Sequence, residues 1–372
     1  MPTPKDTLWD CDPHTVAKHR ILRHYLEAWF PILMQAGRSP ITYVEAFAGP
    51  GIYKKGEPGS PVIATEVFLR QRRLFTPGRR VNLILIEERS DRINRLRQEL
   101  DATLARYGGP PDGLRIEYHD KSYETTLFPT LSRLDARRGP IFAFLDSWGG
   151  PDIPLDVARQ IAAVPSSEVL VTFGTRFLIQ FGKAATHQES GDRAFGGQHW
   201  RAVHEQPPNG KKAFLVSAYR QSLKQAGFPF VISFEMLDEQ GHDLHLVFGT
   251  TSRKGLEKMK EAMWRIDAVH GVRYRDPRDP DQLAIDFDEN ANLGPLRRAL
   301  TAQLQSGPCT LGQLRNYTLL ETVYRPPHAT QVIRGLLSQR QVEREPAGGH
   351  LTDSTLIKLA LLKAPPPQQT LF

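Results

Sequence analysis

Five carboxylates follow short apolar runs at four places in the first 146 residues, and the first of them is followed at once by a glycine turn. That turn reads Glu45-Ala46-Phe47-Ala48-Gly49-Pro50-Gly51. Glycines at alternate positions let a backbone reverse sharply and come close to a ligand. The other acids are the pair Glu87-Glu88, then Asp120, then Asp146. Ionised carboxylates only accept hydrogen bonds, so they suit hydroxyl and amine donors. At the C-terminal ends of neighbouring strands they would converge on one molecule.

The turn is an incomplete dinucleotide fingerprint. Gly49 and Gly51 fit the first two positions of G-x-G-x-x-G, but the third falls on Lys54. That argues against NAD and towards S-adenosylmethionine, the other large user of such a turn.

The elements that must position these acids alternate along the chain. Asp12-Pro13 opens a helix with Ile21, Leu22, Tyr25, Leu26, Trp29 and Leu33 on one face and Lys18, Arg20, Arg23 and His24 on the other. Strands are expected at 41–47, 81–86, 114–118, 140–146 and 168–173, with helices at 62–73, 90–104, 125–134 and 157–164. Pro129 should break or delay the third of those helices. The pattern loosens from Gly174 to Lys212 and reads as an irregular insertion near the substrate, before a helix from Phe214 to Gln225. Strands at 230–237 and 242–250 are joined by Glu239-Gln240-Gly241, a link short enough to demand antiparallel pairing. Five strands alternating with helices and a closing antiparallel hairpin give an α/β, Rossmann-like class I methyltransferase sheet, whereas an NAD-binding sheet stays parallel throughout.

On that frame the acids acquire roles. Glu87 is the first choice for the ribose hydroxyls and Glu88 the alternate, and Asp120 is placed for the adenine amino group. Glu45 with Phe47, Ala48, Gly49, Pro50 and Gly51 would lie along the methionine and ribose. Asp146-Ser147-Trp148-Gly149 ends the fourth strand beside the methyl donor; Asp146 would also reach the cofactor. Asp146 could accept from an acceptor amine and Trp148 could stack on its base, the two candidate catalytic residues. A solvated strand-end acid and a core tryptophan are the plain alternatives. Ser60 and Arg176 are assigned to the acceptor side.

A helix at 254–266 completes this domain, taken as residues 1–289, with Asp and Pro residues at 276–281 marking the boundary. Residues 290–358 read as three helices and a hairpin over Val342 to Thr352 with Gly348-Gly349 inside, the outline of a winged helix-turn-helix. Its third helix should turn Ala329, Val332, Ile333, Leu336 and Leu337 inward. His328, Thr330, Gln331 and Arg334 would face outward, the last three as nucleic-acid contacts. Residues 359–372, with Pro365-Pro366-Pro367, read as a partly disordered tail.

Composition bounds the rest. Of 372 residues, 40% are hydrophobic and 24% charged, ordinary values for a globular protein. A net charge of +7 is compatible with nucleic-acid contact. Cys11 and Cys309, the two cysteines, lack metal-ligand spacing, and a reducing cytosol is the expected home. The polar start with Asp6, Asp10 and Asp12 is unlike a secretory signal, and no run approaches the ~18 apolar residues of a membrane span. No Walker loop, H-E-x-x-H or G-x-S-x-G occurs.

Several blocks also resemble the three-Cys-motif partner (TcmP) family, a methyltransferase-like group. They are Lys18-His19, Tyr25-Leu26 and Trp29-Phe30-Pro31, then Glu45–Gly51 and Gly56-Glu57-Pro58-Gly59-Ser60-Pro61. Phe195-Gly196-Gly197 with Trp200, and Gly255 through Trp264, continue the match. The family shows Asp-Pro-Phe-Gly where this chain has Asp146-Ser-Trp-Gly149, which sets the carried-over role of Asp146 apart. The resemblance implies the fold, S-adenosylmethionine as cofactor and a separate three-Cys-motif protein as partner. The expected function is methyl transfer to, or binding of, nucleic acid. A catalytically inactive scaffold for a partner enzyme, and a DNA-processing protein of a defence or mobile-element cassette, are the alternatives.

Overall fold

The computed structural model describes residues 6–147, 150, 153–237, 243–269, 271, 273–275 and 291–360. The chain divides into two units, Met1–Phe287 and Asp288–Phe372. The expected link at 239–241, the boundary at 276–281, Trp148 and Gly149, and the tail from 361 onward fall outside the described residues.

The first unit is built on an eight-stranded sheet. Its strands are β1 (Ile41–Glu45), β2 (Val81–Ile86), β3 (Leu114–His119), β4 (Ile141–Leu145), β5 (Glu168–Phe173), β6 (Phe230–Leu237), β7 (Asp243–Thr250) and β8 (Arg273–Arg275). The order is β3-β2-β1-β4-β5-β7-β6-β8. The first five strands are parallel, and β7 enters antiparallel between β5 and β6. This is the class I methyltransferase arrangement that the strand tally anticipated. The short edge strand β8, parallel to β6, has no counterpart in the sequence reading.

Alternation along the strands sets the two faces. Tyr43, Leu83, Phe142, Phe144 and Leu170 pack under α1 (Pro13–Gln35), α2 (Ser60–Arg70) and α9 (Arg253–Trp264). Val44, Ile84, Ala143, Leu145, Val169 and Val171 face the opposite layer. That layer includes α4 (Tyr123–Arg133), α5 (Leu155–Ala162), α7 (Ala185–Phe195) and α8 (Lys211–Gln225). Helix α3 (Ser90–Arg106) packs Ile93, Leu96 and Leu100 on Leu85 and Ala48. With both faces covered, the central strands are buried at every position and mostly apolar.

Two expectations need correction here. Pro129 lies inside α4 and does not break it. One backbone hydrogen bond is lost there, but the buried face of Tyr123, Thr126, Leu127, Thr130 and Leu131 holds the helix. The stretch 174–212 is not irregular: α6 (Arg176–Phe181), α7 and a 3-10 segment (Gln198–Glu205) occupy it. Its glycines are packing devices, because a Cβ on Gly191 would lie 2.3 Å from the fully buried Trp200 ring, and one on Gly182 2.9 Å.

The second unit has α10 (Gly294–Gln305), β9 (Cys309–Thr310), α11 (Leu311–Glu321), α12 (Pro326–Ser338), β10 (Val342–Glu345) and β11 (Leu356–Leu359). The strands form an antiparallel sheet in the order β10-β11-β9, completing a winged helix. A capping box between Thr310 and Gln313 starts α11. The wing returns later than expected, at 356–359. Residues 346–355 form its loop instead, where the Arg344 guanidinium donates to the carbonyls of Pro346, Gly348 and Gly349.

Two glycine substitutions separate these packing roles. Gly191→Ala forces the Trp200 ring to shift and should cost about 1–3 kcal/mol of stability. Gly335→Ala lies in α12 with nothing within 4 Å of the added carbon. It should stabilise by up to about 1 kcal/mol through helix propensity. Denaturant titrations of both variants check the opposite signs.

Candidate functional site

The chain leaves β1 through Ala46 and Phe47 into the glycine turn, which adopts left-handed backbone at Gly49 (φ +63°) and Gly51 (φ +76°). The Ala48 N–H donates to the Ile86 carbonyl at 2.8 Å, and the Gly59 N–H to the Gly51 carbonyl at 2.8 Å. A side chain on Gly51 would meet Leu96 at 2.6 Å, and one on Gly59 the Gly51 backbone at 2.9 Å. The turn is thus wedged between the start of α2 and the flank of α3. Beside it, at the C-terminal ends of β1, β2 and β4, opens a cavity of about 260 Å³.

Glu87 is the best-positioned acid in this cavity. One carboxylate oxygen accepts from the Gly49 N–H at 3.0 Å, the other from the Arg89 N–H at 3.2 Å. Arg92 stands 3.9 Å away. Burial raises the Glu87 pKa, opposed by these donors. A carboxylate has about four acceptor sites, so two backbone donors orient it and leave room for two more. Glu88 is exposed at the mouth. Asp120 is exposed and does not line the cavity.

Glu45 lies beneath the floor. It is buried and accepts from Tyr43 Oη at 2.5 Å and Ser60 Oγ at 2.7 Å. Ser60 lines the cavity and Glu45 does not. Burial pushes Glu45 up to about 8 against those two donors. A second buried acid, Glu168, accepts from Tyr25 and, at 2.8 Å, from Thr250 Oγ1, and is pushed by burial up to about 7.

Asp146 closes the other side of the cavity, paired with Lys18. Its second oxygen accepts from Thr172 Oγ1 at 2.6 Å. Burial opposes its charge, but Lys18 and Thr172 outweigh this and hold the carboxyl below its usual value. Lys18 is therefore a buried cavity residue, not part of an outward basic face. Its spacing gave the signal: three and four residues before Ile21 and Leu22, it lies on the apolar stripe of α1. Beside it, His19 is pulled by burial and by Lys18 down to about 3, and so stays neutral.

Trp9 is the other residue the sequence reading missed. The Lys54 N–H donates to the Trp9 carbonyl at 2.9 Å, Arg92 donates to the Asp6 carbonyl at 3.0 Å, and the Arg92 guanidinium lies 4.7 Å from the Trp9 ring. The segment before α1 is strapped along the cavity, with Trp9 in its wall.

The charged side chains in the wall are Lys18, Arg89 and Arg92 against Glu87, Glu88 and Asp146. Equal numbers of each sign suit a ligand that carries both.

The remaining candidates scatter. Arg176 is exposed at the start of α6. In the second unit Gln331 and Arg334 are exposed on α12, but Thr330 is buried and accepts from Arg315 Nε at 2.9 Å, and His328 is buried against Arg325. These two do not face outward, because the start of α12 packs on α11 and on its own cap. Among the described residues no three His, Cys, Asp or Glu side chains gather as a metal site. No helix among them is long and apolar enough to cross a membrane.

Residues 273–349 match the family model described as a GMT-like wHTH domain. Solved structures similar to the chain include Trm1 from Pyrococcus horikoshii, in complex with S-adenosyl-L-methionine. That match has 14% identity and a TM-score of 0.38 over 69% of this chain and 61% of that one. A putative O-methyltransferase from Klebsiella pneumoniae matches at 10% identity and TM-score 0.31, over 62% of this chain and 80% of that one. YjhP from E. coli matches at 9% and 0.23, over 62% and 98%. The chain thus spans about three fifths of the length of the first of these. No curated protein matches the sequence.

Glu45 and Glu168, pushed up to about 8 and about 7, set a pH dependence. Glu45 and Glu168 bind protons more tightly folded than unfolded, so the unfolded state loses protons first as pH rises above the ordinary 4.5. Stability should fall between there and about 8. Glu45→Gln and Glu168→Gln should each flatten that decline. Thermal midpoints between pH 5 and about 9 check it; a slope equal to wild type in both variants contradicts it.

Proposed function

We propose that the first unit binds S-adenosylmethionine in the cavity beside the Gly49 turn and transfers its methyl group to nucleic acid presented by the winged helix. The observation that supports this most is Glu87. It is a strand-end carboxylate fixed by two backbone donors, with acceptor capacity directed into the cavity, as a ribose diol requires.

The opposite wall supports the same ligand. β2 and β4 flank β1, so Glu87 and Asp146 stand two strand spacings apart, about 10 Å. A nucleoside joined to an amino acid is elongated in this way. Its ammonium and carboxylate would meet Asp146 and Lys18, an ion pair facing a zwitterion. Methyl transfer then needs little from the protein beyond alignment and exclusion of water, because the sulfonium supplies its own leaving group. Trp9 and the strapped segment before α1 supply the cover.

The exposed Gln331 and Arg334 on α12 are the side chains that would reach a nucleic acid from the second unit. A three-Cys-motif protein as partner rests on the sequence blocks described above.

A second reading has its own support. Both oxygens of Asp146 are engaged, by Lys18 and Thr172, at the place where an amine acceptor would be gripped. A protein that binds the cofactor as a scaffold, without transferring the methyl group, fits that arrangement. A radiolabelled methyl-transfer screen over DNA, RNA and protein pools separates the two readings: incorporation excludes the scaffold.

Calorimetry tests the cofactor. Glu87→Ala should weaken both S-adenosylmethionine and methylthioadenosine about 10- to 100-fold, the loss of a charge-assisted hydrogen bond. Lys18→Met should weaken S-adenosylmethionine by a similar factor and leave methylthioadenosine, which lacks the amino-acid end, unchanged. Equal binding of S-adenosylmethionine to wild type and Glu87→Ala contradicts the assignment.

A further inference from the structure

A dense run of charge of one sign lies at the other end of the same sheet. Between α2 and β2 the chain reads Arg70-Gln71-Arg72-Arg73-Leu74-Phe75-Thr76-Pro77-Gly78-Arg79-Arg80, with five arginines and no acid in eleven residues. Arg38, in the link from α1 to β1, joins them, because the Arg79 guanidinium packs over Gly37 and the Arg80 N–H donates to Ser39 Oγ at 3.0 Å. Arg70 Nε donates to Tyr107 Oη at 3.2 Å, and Arg72 donates to the Tyr107 carbonyl, so the cluster extends to the end of α3.

Local structure does not account for this charge. Arg70 lies in the last turn of α2, where a cation complements the helix dipole, but Arg72, Arg73, Arg79 and Arg80 follow the helix. Glu66 and Glu27 are the carboxylates that act on Arg70. Glu66 is already shared by Arg23, Arg70 and Arg106 at 3.2, 3.8 and 3.6 Å, and Glu27 lies 3.4 Å from His24. Arg38, Arg70, Arg72, Arg73 and Arg80 are all exposed.

We propose that this arginine edge, at the N-terminal ends of β1 and β2, is a docking surface for the phosphate backbone of nucleic acid. It is separate from the cavity. The proposal rests on the nucleic-acid part of the reading above and is independent of the cofactor. Guanidinium forks bind phosphate oxygens two at a time and remain charged at any working pH. Arg70, Arg72 and Arg79, held by Tyr107 and against Gly37, give up less side-chain freedom on binding than loose lysines do. The cavity opens at the C-terminal ends of the strands and the arginines lie at the N-terminal ends. One nucleic acid touching both must therefore fold around the unit, so the edge fixes the substrate's position and carries no sequence preference.

Anisotropy of labelled random-sequence RNA and DNA duplexes of about 20 base pairs, titrated with the full chain across about 50–300 mM KCl, tests this. Replacing Arg72, Arg73, Arg79 and Arg80 together by glutamine should weaken binding at least about 10-fold and lower the log–log salt slope by about 2 to 4. Binding of S-adenosylhomocysteine should be unchanged. Should the fourfold variant fold poorly, Arg73→Gln with Arg80→Gln should give about half the slope change. A wild-type slope in these variants overturns the proposal and leaves the nucleic-acid reading standing. So does loss of binding only to vesicles containing phosphatidylserine. No duplex binding by the wild type overturns both.

Discussion

The hydrogen bond from the Gly49 N–H to the Glu87 carboxylate ties the turn after β1 to the end of β2. The turn it anchors continues through left-handed backbone at Gly49 and Gly51. The bond requires that the two strands end level, which the parallel register from Ile41↔Val81 to Glu45↔Leu85 provides. The cavity exists because the sheet turns both ways from β1, with β2 on one side and β4 on the other. At such a switch point the flanking connections diverge to opposite faces and leave a crevice.

Helix α1 depends on a second buried contact. Tyr25 donates to Glu168 on β5, which also accepts from Thr250 on β7, so one carboxylate joins the helix to two strands. Lys18 lies seven residues earlier on the same helical face, two turns or about 10 Å along the axis. The anchor at Tyr25 therefore fixes the reach of Lys18 to Asp146. Glu45 does the same under the turn, joining β1 to the first residue of α2 through Ser60. Both acids sit where their charged forms are costly, and the structure accepts a loss of stability at high pH to keep these joints.

Much of this architecture was legible in the sequence, for physical reasons that also explain the failures. Strands such as 81–86 and 168–173 were read to the residue, because strands covered on both faces are mostly apolar along their length. Glu87 was singled out by place alone, at the end of such a run, and it lines the cavity. Lys18 was placed on the face opposite the apolar stripe with the other basic residues, although its spacing put it on the buried stripe. Trp9 lies outside any periodic element, so no pattern pointed to it. In 174–212 the glycines looked like loop signals, but Gly182 and Gly191 are small to admit Trp200 from a distant position in the sequence. Thr330 was placed on the outer face of α12, where its partner Arg315, on another helix, could not be foreseen.

The claim on which the functional account rests is that Glu87 holds a ribose. Crystals grown with S-adenosylhomocysteine measure this directly. The account predicts both sugar hydroxyls within about 3 Å of the Glu87 carboxylate oxygens and the amino-acid end beside Lys18 and Asp146. A cavity left empty at saturating ligand, or filled by a phosphate-bearing nucleotide in preference, would contradict it.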